Sequence, residues 1–314
     1  MSLTKEEKKQ KDAEMIKYIY DKYQFNKELT KDDLRFLYNI GRKFGKDGDY
    51  LIDPRLNEII RNRDVNEDLK VVFDPEETIE GDLCIFDAID LEGITFPKKV
   101  TGTILMPNIK SATNVVFPKE VEGGVILRGL VNADNVVLPE IIHEYLHLDK
   151  LTSVEGVKLP RVVGAILQLY NLTSAKGFVP PEVIGGTLDL ALTDAESLKL
   201  PEVIDYSLCL SNIENVEHLV LPKVIKGHLS LGALKNTKGL VLPEVIGSYL
   251  YIDYDTDVKD LTLPKEIGGD LIIESTNNEA DIDLSNCTVG GSVVLGSIIG
   301  KNVCFEENSS IIKR

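Results

Sequence analysis

Residues 143–147 read HEYLH, two histidines four apart with a glutamate beside the first, which is the spelling of the zinc-protease motif H-E-x-x-H. On a helix, positions i and i+4 lie about 6 Å apart on one face, so His143 and His147 could share a metal while Glu144 activates water. On a strand, at about 3.3 Å per residue, the same positions are about 13 Å apart, too far for two imidazoles to close a tetrahedral zinc site. A second group, DYDTDVKD at 253–260, places Asp253, Asp255 and Asp257 as a calcium loop begins. Its sixth position is Val258 where such a loop needs glycine, and its twelfth is Pro264 where it needs glutamate, so a solvated acidic turn is expected. What any of these residues can do depends on the backbone that carries them.

That backbone is set by a repeat. A proline followed by an apolar residue three positions on recurs at Pro97, Pro118, Pro139, Pro160, Pro181, Pro201, Pro222, Pro243 and Pro264. The spacing is constant except between Pro181 and Pro201, where it is one residue shorter. A divergent copy opens at Pro75 and another runs from Ser285 to Phe305, so about eleven repeats occupy residues 75–305. Representative copies are PEVIDYSLCLSNIENVEHLVL (201–221) and PKVIKGHLSLGALKNTKGLVL (222–242). With the proline as position 1, apolar residues alternate with polar ones at positions 8 and 10 and again at 19 and 21, which predicts two short strands per repeat. Positions 4, 13 and 16 add inward residues at corners. A unit of this size cannot bury an apolar face alone, whereas stacked coils bury it continuously. In this register His143, Glu144 and His147 fall at positions 5, 6 and 9, on a turn and a strand. The zinc spelling is therefore expected to be fortuitous, with no metal and no cofactor. The recurring Gly-Gly pairs at positions 5 and 6 are turn residues, because no helix with a lysine follows them as in a phosphate loop.

The run L-x-x-A-x-x-L leading into L-x-L-P-x-x-I, as in GLVLPEVIG (239–247), resembles the proline-containing bacterial class of leucine-rich repeats. The resemblance covers the whole repeat region, 75–305, and implies a mainly β, leucine-rich-repeat-like solenoid whose usual role is binding protein partners. A second strand stands where that superfamily has a helix or 3₁₀ segment, and the regular Asn or Cys after the first strand is missing. A two-stranded, all-β solenoid is thus a close rival geometry, and neither geometry dictates a function.

Residues 1–74 form a small α-helical N-terminal domain or cap, and 306–314 a C-terminal tail. Helical spacing appears in 13–23 and in 32–40, where Thr30 is the N-cap candidate and Asp33 its capping partner. Asp53-Pro54 opens a third helix over 55–63, and 66–73 suggests a fourth. The two readings of this segment are a plug for the open end of the stack and a functional module that the solenoid delivers to its target.

The formal net charge of −16 is uneven. Residues 1–74 hold 16 basic and 16 acidic side chains, leaving 19 of the 35 Lys+Arg and 35 of the 51 Asp+Glu for the rest. Such a surface repels phosphate backbones and anionic lipid, which disfavours nucleic-acid and membrane binding and suits a basic protein partner. Four cysteines without C-x-x-C spacing point to reduced thiols, and the charged start of the chain to cytoplasmic synthesis.

Because positions 8 and 10 point inward, positions 7, 9 and 11 point outward, and their occupants vary from coil to coil over a constant core. The expected partner-binding residues are Tyr145, His147, Gln168, Tyr170, Asp189, His228, Tyr249, Tyr251 and Asp253. Tyrosines interspersed with Asp and His suit a wet protein interface. Position 3 is apolar in six successive coils, which marks either a semi-buried corner or an exposed ridge. No Ser/His/Asp or Cys/His nucleophile can be assembled, so a non-enzymatic interaction scaffold is expected. The alternative is an effector delivered into another cell without a conventional signal peptide, or carried by a mobile element, whose helical module acts on a host protein that the solenoid selects.

Overall fold

A computed structural model describes residues 4–41, 53–214, 216, 218–234, 237–253, 256–259, 261–274, 281–296, 299–301 and 311–313. The chain is a mainly β, parallel solenoid of about ten turns preceded by helices. It divides into two compact units, 1–143 and 144–314.

In the first unit, α1 (Lys5–Gln24), α2 (Lys31–Leu37), α3 (Pro54–Arg61) and α4 (Val65–Val72) match the expected helical runs. The Thr30 side chain accepts from the Asp33 amide while the Asp33 carboxylate takes the Thr30 amide at 2.8 Å, closing a capping box. Asp53 caps α3 with Pro54 in its first turn. The sequence reading starts α1 too late: its cap is Thr4, with Glu7 completing a second capping box. Helix α1 packs on α3 and α2 on α4.

Two ties join these helices to the first coils. Arg35 and Lys31 of α2 reach Glu77 at 2.5 and 3.5 Å. Phe73, at the C-cap of α4, packs on Phe96 at 5.3 Å between ring centroids, and Phe96 stacks on Phe117 at 4.6 Å. The aromatic stack thus carries the helical core into the repeat core.

Each coil contributes two parallel strands, as expected, but the second is not where the alternation at 19 and 21 places it. The strands occupy positions 3–4, as at Val203–Ile204, and positions from 7 or 8 onward, as at Ser207–Ser211. Around positions 19–21 of the coils followed by proline, isolated bridges form, such as Val220 with Val241, whereas Asp281–Asp283, which no proline follows, pairs as a strand with Ile299–Lys301. The reason is the proline at position 1, which has no N–H to extend a ladder from position 21. The Val-Ile pairs just past it, β-branched and free to bond, take that role.

Positions 4, 8 and 10 form the core. Ile204, Leu208, Leu229, Leu231 and their equivalents in neighbouring coils are at most 4% exposed. Position 3 is half-buried at Val162, Val224 and Val245 and about half exposed at Val183 and Val203, so it is a corner in some coils and a ridge in others. At position 5, the Gly164 carbonyl lies 2.0 Å from where a Cβ on Gly185 would sit, and Gly247 stands in the same relation to Gly268 at 2.4 Å. Close stacking of corners, not a positive φ, is what calls for glycine there.

The one short interval in the repeat is absorbed locally. Leu167–Leu169 pair in register with Leu188–Leu190, then the register slips so that Leu172 faces Leu192. Tyr170 and Asn171 therefore bulge out opposite one residue, Ala191. At the C-terminal end, Ile311–Lys313 pairs with Val293–Leu295, so the stretch read as a tail contains a strand. Phe305 and Asp255 lie outside the described residues. Among the described residues, no helix is long and apolar enough to cross a membrane.

Candidate functional site

HEYLH sits on the turn after Ile141–Ile142 and on the strand Leu146–His147. The His143 ring is 3.1 Å from Glu120 of the preceding coil, and the His147 ring packs against Tyr145 with centroids 5.1 Å apart. Extended backbone turns the motif's side chains to separate neighbours. Among the described residues, no three His, Cys, Asp or Glu side chains converge as metal ligands would.

In the second unit the parallel register stacks position 9 into one ladder: His147, Gln168, Asp189, Cys209, Ser230 and Tyr251. Position 11 gives a parallel row in which Ala191, Ser211 and Gly232 succeed one another. All nine expected partner-binding residues lie on this face or its margin, and most are tied to a neighbouring coil. Tyr170 donates from its hydroxyl to Asp189 Oδ2 at 3.0 Å. Tyr251 donates to Glu274 at 3.0 Å and lies 3.4 Å from Asp253 Oδ1. His228 stacks face to face on Tyr249, with centroids 4.3 Å apart and planes 8° from parallel.

Gln168 differs from the expectation of outward exposure. It is only 9% exposed, and its amide donates to Asp149 Oδ1 at 2.7 Å. The tilted Tyr145–His147 pair stands apart, four coils before His228.

The structure also collects residues that the sequence reading left out. A depression of about 520 Å3 is lined by Tyr170, Asp189, Ala191, Cys209, Ser211 and Gly232, together with Leu210, Asn212 and Ser230. The row of small residues at position 11 is the signal that could have located it.

Cys209 Sγ lies 3.4 Å from His228 Nε2, the residue types of a thiol nucleophile and its base. Burial, with the Asp189 charge adding to it, pushes the Cys209 thiol up to about 12, and burial lowers His228. Both groups are thus held neutral near pH 7, the reverse of an activated thiolate beside an imidazolium. Burial pushes the Asp189 carboxyl above the usual range and the Asp149 charge adds to the shift, while the Tyr170 hydroxyl opposes it. The Tyr170 hydroxyl is raised to about 12 by burial and by its bond to Asp189.

Fold and face together define a β-solenoid repeat protein with an irregular, aromatic and acidic strand face. Comparison with protein-family models, with curated proteins and with solved structures gives no significant match.

Proposed function

We propose that this chain is a non-enzymatic interaction scaffold that recognises a protein partner through the outward strand face of coils 139–284. One observation carries the reading. Over a core ladder of near-invariant leucines, the face holds tyrosine, histidine and acid side chains already ordered by contacts with one another. Side chains immobilised before docking lose less entropy on binding, and tyrosine supplies contact area with a polar end. Position-by-position variation over a constant core is how a solenoid encodes one particular partner. The resemblance to proline-containing leucine-rich repeats points the same way. The helices act as the end cap, a role supported by the aromatic stack and the Glu77 ion pairs that bind them to the first coils.

The test is affinity isolation of a partner followed by calorimetric titration with purified proteins. Tyr145→Ala, Tyr249→Ala and Tyr251→Ala are each expected to weaken binding, at least one by tenfold or more, while leaving the fold intact. Equal affinity for all three would move recognition off this face.

A further inference from the structure

Within the second unit the ladder at positions 3–4 is interrupted between the coils of Pro181 and Pro201. Val162–Val163 pair with Val183–Ile184, and Val203–Ile204 pair with Val224–Ile225, but Val183–Ile184 and Val203–Ile204 belong to separate sheets. Backbone bonds show the same gap. The Gly185 amide donates to the Val163 carbonyl at 2.9 Å and the Lys226 amide to the Ile204 carbonyl at 3.0 Å. Among the described residues, no equivalent bond runs from the Asp205 amide to the Ile184 carbonyl. Pro201 is exposed, whereas Pro160, Pro181, Pro222, Pro243 and Pro264 are buried. On the following strand the same two coils stay joined, with Thr187–Ala191 in register with Ser207–Ser211.

Ion pairs clasp the coils on either side of this gap. At position 2 the coils from Pro160 to Pro264 carry Arg161, Glu182, Glu202, Lys223, Glu244 and Lys265, opposite in sign at every step except from Glu182 to Glu202. Arg161 meets Glu182 at 3.3 Å before the gap, while Lys223 meets Glu202 at 3.1 Å and Lys226 meets Asp205 at 2.7 Å after it. Each such exposed pair is weak, and it is their placement that leaves the junction unclasped. Position 6 adds a wedge. Tyr206 stands where the same coils have Ala165, Gly186, Gly227, Ser248 and Gly269. Room there is scant, since a Cβ on Gly186 would come within 2.8 Å of the Ala165 carbonyl oxygen. Tyr206 is 7% exposed and its hydroxyl has no hydrogen-bond partner. A buried hydroxyl left unpaired penalises the closed arrangement, and water removes that penalty once the hydroxyl is released.

We propose that the junction between the coils of Pro181 and Pro201 is a hinge. The paired strands Thr187–Asp194 and Ser207–Ser211 are its fixed leaf, the corner 201–205 is its opening edge, and Tyr206 is the wedge that leaves for water when the edge opens. The corner moves with the coil of Pro222, to which the Val203–Ile204 pairing and both ion pairs tie it. Opening turns the coils that carry Cys209, His228 and Tyr249 against those that carry Tyr170 and Asp189, so the strand face changes curvature here. Such sub-global opening breaks few bonds, because the ladder at the moving edge is already absent.

Amide hydrogen exchange on the full chain, resolved by NMR, tests this without any partner, and so separately from the interaction face. Two amides make the same bond in successive coils: Thr187 to the Ala165 carbonyl at 3.0 Å, and Ser207 to the Gly186 carbonyl, at the lip of the gap, at 2.9 Å. After correction for intrinsic rates, Ser207 is expected to be at least tenfold less protected than Thr187. Tyr206→Phe removes the unpaired hydroxyl and is expected to raise Ser207 protection about tenfold while leaving Thr187 unchanged. Tyr206→Gly removes the wedge and is expected to bring protection to the Asp205 amide. Should Tyr206→Gly fail to fold by circular dichroism, Tyr206→Phe decides. Equal protection of Ser207 and Thr187 in the parent would overturn the hinge, as would a Tyr206→Phe effect that is absent or equal at both amides.

Discussion

Leu208→Ala tests the architecture at its centre. Leu208 is fully buried, and its backbone neighbours across the ladder are Leu188 and Leu229, both also 0% exposed. Truncation removes three carbons, which at about 0.8 kcal/mol each amounts to about 2.4 kcal/mol of transfer free energy. A cavity term adds to this according to how far the surroundings collapse. Collapse is resisted here, because the strands above and below are pinned by the ladder, with the Leu208 amide donating to the His228 carbonyl at 2.9 Å. The expected total is about 3–5 kcal/mol. Urea unfolding followed by both circular dichroism and tyrosine fluorescence measures it, with agreement between the two probes as the test of cooperativity. Val220→Ala, at a side chain 72% exposed, is the control and should stay within about 0.5 kcal/mol of the parent. Hydrogen exchange should rise in the coil of Pro201 and its immediate neighbours first, because each coil touches only the next. A Leu208→Ala loss no larger than that of Val220→Ala would refute the stacked-ladder core.

Asp189 supplies a pH test: its pKa is raised in the folded chain, so the native state holds the proton more tightly and ionisation removes stability as pH rises through that window. Asp189→Asn should therefore raise Tm at pH 7 and lose that advantage below the ordinary aspartate value of about 4, and a lower Tm at pH 7 would contradict the burial argument. Gly185→Ala drives a Cβ toward the Gly164 carbonyl at 2.0 Å and should cost roughly 2 kcal/mol or more, whereas Gly232→Ala should cost under about 0.5 kcal/mol in the same urea assay. Elemental analysis of purified protein should find no stoichiometric zinc, and tightly held zinc lost in His147→Ala would reverse the reading of HEYLH.

The sequence by itself determined the repeat, the coil length and the buried ladders, because a short, fixed period with apolar residues at constant positions has no way to bury them except by stacking like upon like. It also determined the helix starts at Thr30 and Asp53, where the capping contacts are between residues only two or three apart. The position of the second strand depended on competition between neighbouring segments for ladder hydrogen bonds, and alternation at 19 and 21 could not reveal that the following proline withholds its donor. The depression depended on register. Tyr170, Asp189, Ser211 and Gly232 belong to four successive coils, and only the slip opposite Ala191 and the vertical alignment of Ala191, Ser211 and Gly232 bring them to one place. Side-chain pairings such as His228 on Tyr249 were set in the same way, by which coil stacks on which at about 4.8 Å, a spacing that period alone implies but rotamers and packing must fill.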